Sequence, residues 1–351
     1  MAAQLTLMNG MSRCALRLWT ARATSSLPVP VSPVINTVLR VENYRGALTW
    51  LIERGRPGEA SDIAWGLMFF WLIRGHAAEG LRWYEQILNL LSLPAAAESR
   101  ALVGAALMWY TQGELGRART GLTRALALAH GVGDMEMVAH AENLSGFVEQ
   151  GVGNVNAARD RFTHSVEGYR ALAVPCPWGV GSALSGMANL ALATGDVGQA
   201  DRLLDEATSV LRHAGPYFLT STLYVRAIRA VRRGNPGEAM ALVRESLTRI
   251  REIHDKFAFV YALVPLAAAA ALKGDDAWAA RILGARDAVT ERTGATVVDE
   301  SVHDLREQAE REVRARLGPD RWGRAYAAGR VTSIDSLMKE IDNVLRSRAP
   351  A

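Results

Sequence analysis

The chain has 351 residues, 49% of them apolar and only 12 of them proline, a composition that excludes wholesale disorder and supports a large buried core. Its formal net charge of +4 comes from Arg13, Arg17, Arg22 and Arg40, because residues 41–351 carry 36 basic against 36 acidic groups. The body is therefore neutral, lacks the basic stripe of a nucleic-acid-binding module, and is not expected to bind DNA or RNA directly.

Residues 1–40 read as a flexible leader. Three of their arginines interleave with Leu16, Leu18 and Trp19, no acidic residue is present, and Pro28, Pro30 and Pro33 preclude a regular helix. The order of basic end, apolar run and small-residue cleavage site that marks a secretory signal is missing. An acid-free start with Arg and Ser also resembles a transit peptide, but 37 Arg against 3 Lys in an Ala- and Gly-rich chain matches a high-GC bacterial coding sequence.

Helical spacing of Val41, Tyr44, Leu48, Leu51 and Ile52 predicts a first helix, closed by Gly55 and Pro57. A second, from Glu59 to Arg74, carries Ile63, Trp65, Leu67, Phe69, Phe70, Trp71 and Leu72, an aromatic density that implies burial on more than one face. Its partner runs from Glu79 to Leu93, where Pro94 ends it. Five further pairs follow: Glu98 to Gln112 with Leu115 to His130, Met135 to Gln150 with Val155 to Leu172, Val180 to Thr194 with Val197 to His213, Phe218 to Arg233 with Gly237 to Ile253, and Phe257 to Lys273 with Ala277 to Thr293. Beyond Gly294 an amphipathic helix over Asp299 to Leu317 covers the open end of the array. A short helix around Trp322 and Tyr326 comes next, then a final helix that Thr332 or Ser333 can cap.

The pairs share a register. Gly75, Gly113, Gly153, Gly195, Gly234 and Gly274 recur at intervals of 38, 40, 42, 39 and 40 residues. Five residues after the last five of them stand Ala118, Ala158, Ala200, Ala239 and Ala279, and nine residues after all six stand Tyr84, Leu122, Phe162, Leu204, Val243 and Leu283. Glycine supplies the tight turn, alanine lets the second helix approach the first, and the large apolar residue fills the layer between hairpins. The expected fold class is all-α: a right-handed superhelical solenoid of helical hairpins over 41–294, with capping helices and a tail over 295–351.

These offsets resemble tetratricopeptide repeats, with a period longer than the usual ~34 residues. The flanks carry a more specific likeness. Val41-Glu42-Asn43-Tyr44-Arg45-Gly46-Ala47-Leu48-Thr49-Trp50, and Trp71-Leu72-Ile73-Arg74-Gly75-His76 with Glu79-Gly80-Leu81-Arg82-Trp83, resemble the start of the MalT-like repeat region in bacterial signal-transduction ATPase regulators of the LuxR and SARP types. Ala279-Ala280-Arg281-Ile282-Leu283-Gly284-Ala285 and Trp322 through Gly329 resemble its end. In that family the repeats bind an inducer or partner and restrain a switch, alongside an NTPase module and, in LuxR-type members, a helix-turn-helix. The likeness covers roughly residues 41 to 345, without either of those parts.

Catalytic patterns are missing from the sequence. No Lys follows a glycine as a phosphate-binding loop needs, and Gly131-Val132-Gly133, Gly151-Val152-Gly153 and Gly179-Val180-Gly181 are fragments that read as loop glycines. The histidines form no HExxH, and Ser145, Ser182 and Ser185 lie in no nucleophile elbow. His140 reads as a capped or solvent-facing side chain with no carboxylate placed to orient it. Cys14 and Cys176 read as free thiols of a reducing compartment. Phe257 to Leu272 is too short for a membrane span and contains Pro265, so it reads as a buried hairpin helix. The expected protein is a cytoplasmic, non-enzymatic sensor with no cofactor and no metal, acting through a partner; the alternative is a scaffold with no switching role.

In tetratricopeptide arrays the first helix of each hairpin lines the concave face. Positions thirteen, ten and six before the turn glycine then give a candidate binding column of His140, Asn143 and Phe147, then Ser182, Ser185 and Asn189, then Ser221, Tyr224 and Ile228. Nearly free of formal charge, this column suits a protein segment, a peptide or a small-molecule inducer rather than a nucleic acid or a membrane. Deleting residues 1–38 is expected to leave the thermal unfolding transition nearly unchanged; a loss of several degrees in a calorimetric scan would show instead that the leader packs on the helix of Phe69, Phe70 and Trp71.

Overall fold

A computed structural model describes residues 37–212, 216–253, 255–293 and 299–347, so that most of the predicted leader, and Cys14, lie outside the described residues. Sixteen α-helices fill these segments, and the fold among the described residues is an all-α solenoid. α1 (Thr37–Glu53) precedes six hairpins: α2 (Pro57–Arg74) with α3 (Ala77–Leu88), α4 (Ala95–Thr111) with α5 (Leu115–Val132), α6 (Met135–Gly151) with α7 (Val155–Ala171), α8 (Pro177–Ala193) with α9 (Val197–Leu211), α10 (Pro216–Arg232) with α11 (Pro236–Ile253), and α12 (Lys256–Leu272) with α13 (Asp276–Thr293). α14 (Glu300–Leu317), α15 (Pro319–Arg330) and α16 (Ile334–Ser347) complete the described chain.

The repeat glycines make one and the same turn. All six adopt left-handed backbone, with φ between 68° and 81°. The residue after each glycine donates its N–H to a carbonyl five residues back, as in Glu114 to Trp109 (2.9 Å) and Asp275 to Ala270 (3.0 Å). The five register alanines are fully buried, and so, to within 1%, are Tyr84, Leu122, Phe162, Leu204, Val243 and Leu283. In the first hairpin the alanine position is Gly80, where a Cβ would stand 2.9 Å from the Trp71 ring.

Several boundaries differ from the sequence reading, each for a local reason. α1 begins at Thr37, four residues before Val41. α8, α10 and α11 start at Pro177, Pro216 and Pro236 rather than at Val180, Phe218 and Gly237; a proline in the first turn lacks only an N–H that has no partner there anyway. α3 stops at Leu88 rather than Leu93, through a turn in which Ser92 takes a φ of 60° and Leu91 stands 92% exposed. Pro265 lies inside α12, in a stretch buried from Phe259 to Ala271.

The C-terminal helices are fastened by backbone contact as well as charge. α15 lies on α13 where a Cβ on Gly284 would overlap the Tyr326 carbonyl, and one on Gly329 would overlap the carbonyl of Arg281. Asp287 on α13 accepts from Arg306 of α14 (2.6 Å) and Tyr326 of α15 (2.7 Å), besides Arg286 (2.7 Å). Burial works against this carboxylate, but the hydrogen bonds from Arg306, Arg286 and Tyr326 prevail and hold its pKa below the ordinary value. Ser333 caps α16, accepting from the Ser336 N–H at 3.1 Å.

Ala200 packs fully buried among Ala188, Ala191, Leu192, Leu204 and Val225. Ala200→Leu is therefore expected to cost roughly 1–3 kcal/mol while the circular dichroism spectrum stays helical, and an unchanged melting temperature would refute this packing. Gly329→Ala is expected to cost at least as much, because the obstacle is backbone; hydrogen exchange should then quicken in α15 and leave α4 unaffected.

Candidate binding groove

The predicted column lies on the first helices of the central hairpins, and the structure ties it together at the repeat spacing. Asn143 on α6 donates to the Ser182 hydroxyl on α8 at 3.2 Å, and the Ser185 hydroxyl shares a hydrogen bond with Thr222 on α10 at 2.8 Å. Asn189 donates to Asp299, the N-cap of α14, at 2.5 Å. Phe147 packs edge-on against Phe162 at 4.9 Å, and Tyr224 leans on Tyr261 at 5.2 Å. Ile228 is fully buried, Ser182, Phe147 and Tyr224 are half-buried, and the Ser221 side chain lies outside the described residues.

His140 is neither solvent-facing nor without a carboxylate, which corrects the sequence reading. It is 5% exposed; its Nδ1 hydrogen-bonds the Tyr169 hydroxyl at 2.7 Å, and its Nε2 lies 3.6 Å from Glu136, one helical turn earlier. Its ring stacks on Trp178 at 4.9 Å and meets the Trp65 ring at 5.1 Å. Burial pushes the Tyr169 hydroxyl well above its usual pKa, and the nearby imidazole of His140 draws Glu136 below the usual carboxylate range.

The groove is closed by the protein's own groups. From α2, Trp65 reaches His140, and Phe69 meets Trp178 edge-on at 5.5 Å. From α4, Tyr110 packs near Phe147 at 6.3 Å and is hydrogen-bonded with Tyr261 of α12; burial, then the proximity of Tyr261, Asp299 and Tyr224, raises its pKa well above the ordinary value. α2 also packs directly on α12. The turn at Gly75 there meets Thr293 and Lys256, so the first hairpin of the superhelix touches the sixth. The buried Oδ1 atoms of Asn143 and Asn189 and the hydroxyl of Ser301 have no hydrogen-bond partner.

Trp65, Phe69 and Tyr261 continue the column at the same offsets in the outer hairpins. Counted back from Gly75, the same offsets give Asp62, Trp65 and Phe69; from Gly113, Arg100, Val103 and Leu107; and from Gly274, Tyr261, Val264 and Ala268. Asp62 and Arg100 form an ion pair with each other, so the extended column stays nearly neutral. Asp299 had no such signal, since it belongs to no hairpin. Cys176 is a buried free thiol whose pKa burial pushes up to about 12, which leaves it unreactive. Among the described residues, no three or more His, Cys, Asp and Glu side chains are grouped to hold a metal, and no helix is long and apolar enough to cross a membrane.

Two acids are buried at this closure. Asp299 is raised by burial, against the opposing hydrogen bonds of Asn189 and the backbone N–H groups of Val302 and Ser301, and the charge of Arg232. Asp255 caps α12 by accepting from the Ala258 N–H at 2.9 Å, but it is 1% exposed and its second oxygen has no partner.

The chain is similar to three mycobacterial proteins named "Putative HTH-type transcriptional regulator", Mb0914c of Mycobacterium bovis and MT0914 and Rv0890c of two Mycobacterium tuberculosis strains, at 29% identity over 225 residues in each case. The aligned region covers 58% of this chain and 24% of each relative, so the chain spans about a quarter of their length. No family model matches it. This likeness relates the chain to transcriptional regulators.

Burial pushes the pKa of Asp255 from 3.8 up to about 7, against the N–H groups of Ala258 and Phe257. The fold therefore favours the protonated acid: its contribution is complete below about pH 4 and is lost as the pH rises through about 7. Asp255→Asn keeps a capping oxygen and removes this loss. Its urea midpoint is expected to match wild type near pH 4 and to exceed it near pH 8 by roughly 2–4 kcal/mol in stability; a difference that does not change with pH would contradict the burial of this carboxyl.

Proposed function

We propose that this chain is the helical-repeat sensor of a transcriptional regulator resembling the signal-transduction ATPase class, which binds a protein segment, a peptide or a small-molecule inducer along its concave column and acts on transcription through a partner. The observation that carries the reading is the similarity to the mycobacterial regulators, on a chain whose described part is a repeat solenoid with a neutral polar and aromatic inner face. Solenoids present long inner surfaces of this kind to partners. A cytoplasmic site of action, non-enzymatic character and the absence of direct nucleic-acid contact belong to the same proposal. The last of these accords with the neutral charge of residues 41–351.

Two measurements test it. Transcripts in the native host, compared with and without the gene, are expected to differ in a discrete set that an intact copy restores; no restored set would refute the regulatory role. Affinity capture with the wild-type chain and with Asn143→Ala, Asn189→Ala and Tyr224→Ala together is expected to show partners lost from the triple variant, once a matched circular dichroism spectrum shows that it folds. A partner list identical for the two chains would remove the column from the binding surface.

A further inference from the structure

The occupant of the groove identifies the kind of partner that would replace it. In a solenoid held by nearest-neighbour stacking, each inner helix leans on the inner helices beside it. α2 does this with α4, where Ser61 donates to the Ala97 carbonyl at 2.8 Å. Its groove-facing aromatics reach further: Trp65 touches His140 on α6, and Phe69 touches Trp178 on α8, two and three hairpins along the chain. Trp65 and Phe69 stand one helical turn apart on one face, each half-buried at the edge of the core in which Met68 and Trp71 of the same helix are fully enclosed.

Trp65 and Phe69 thus carry the cross-groove contacts from the rim of that core, and the enclosed Met68 and Trp71 hold α2 on its neighbours. The closed column also holds Asn143 and Asn189, 8% and 2% exposed, whose amide oxygens accept no hydrogen bond. A buried acceptor without a donor is a standing cost that an incoming N–H or O–H group would remove. Opening the superhelix would break the contacts of Trp65 with His140, of Phe69 with Trp178 and of α2 with α12.

We propose that Trp65 and Phe69 of α2 act as a built-in occupant of the groove, and that the external partner is a helical segment presenting two aromatic residues one turn apart, which takes their place against His140, Tyr169 and Trp178. This rests on the reading of the column as the binding surface and adds the chemistry of its ligand. α2 is itself the evidence for that chemistry, since its i and i+4 aromatics already fill the slot.

The probe is a labelled peptide with the sequence of residues 57–74, carrying added lysines for solubility. Fluorescence anisotropy is expected to show saturable binding to the full chain bearing Trp65→Ala and Phe69→Ala. Wild type is expected to bind at least about tenfold more weakly, because its own α2 competes. A peptide with the same two alanines should bind neither chain. Equal binding of both peptides, or none to the folded double variant, overturns the proposal. If the alanine pair does not fold, Trp65→Leu with Phe69→Leu keeps apolar volume and supports the same comparison. Failure of that chain to fold as well also overturns the proposal, since a displaceable occupant cannot be indispensable to the fold. The transcript comparison above does not depend on this result, so a regulator with a different mode of groove closure would still be recognised.

Discussion

The left-handed glycine turn, with a residue no larger than alanine five positions later, sets the geometry on which everything else depends. The turn fixes the direction in which the second helix leaves, and the small residue fixes how near it comes to the first. Repeated six times with φ confined between 68° and 81°, this local rule makes successive hairpins nearly equivalent, so their rotations accumulate in one sense. The chain returns on itself within six hairpins, and α2 meets α12. The polar pairs of the inner face follow from the same equivalence. Asn143 with Ser182, and Ser185 with Thr222, join residues 39 and 37 apart, which is one repeat.

The cap obeys a different rule. Its helices are not repeats, and they are held by two glycines that bring backbone onto backbone and by the Asp287 cluster that gathers Arg306, Arg286 and Tyr326. These glycines are Gly284 on α13 and Gly329 on α15. Their identity has a steric reason, since a side chain at Gly284 or Gly329 would occupy the same space as a neighbouring carbonyl. A cap built this way shields the apolar face of the last hairpin, which stacking alone would leave open.

The repeat was legible in the sequence because its signal is local: a turn glycine, an alanine and a large apolar residue at fixed offsets all act within one hairpin. The column was legible as a set of positions for the same reason, as Asn143, Ser185 and Asn189 show. Its closure was not. Trp65 reaches His140 across 75 positions and Asn189 reaches Asp299 across 110, and no periodicity within a window contains such pairs. Helix starts at Pro177, Pro216 and Pro236 are ambiguous in the sequence because proline marks the first turn of a helix as readily as a loop. His140 shows the same limit, for its neighbours Tyr169 and Trp178 come from other helices.

The contact between the first and sixth hairpins gives the array a mechanical property that no single repeat has. Where Gly75 meets Thr293 and Lys256, the position of each partner is the sum of every hairpin angle between them, so small errors of one sign add up at that point instead of averaging out. The junction works like the last stone of an arch. It admits the stack only when all intervening joints are within tolerance, and a slight wedge at any of them, whether a ligand between two inner helices or a bulkier side chain at a register alanine, is read there as a gap.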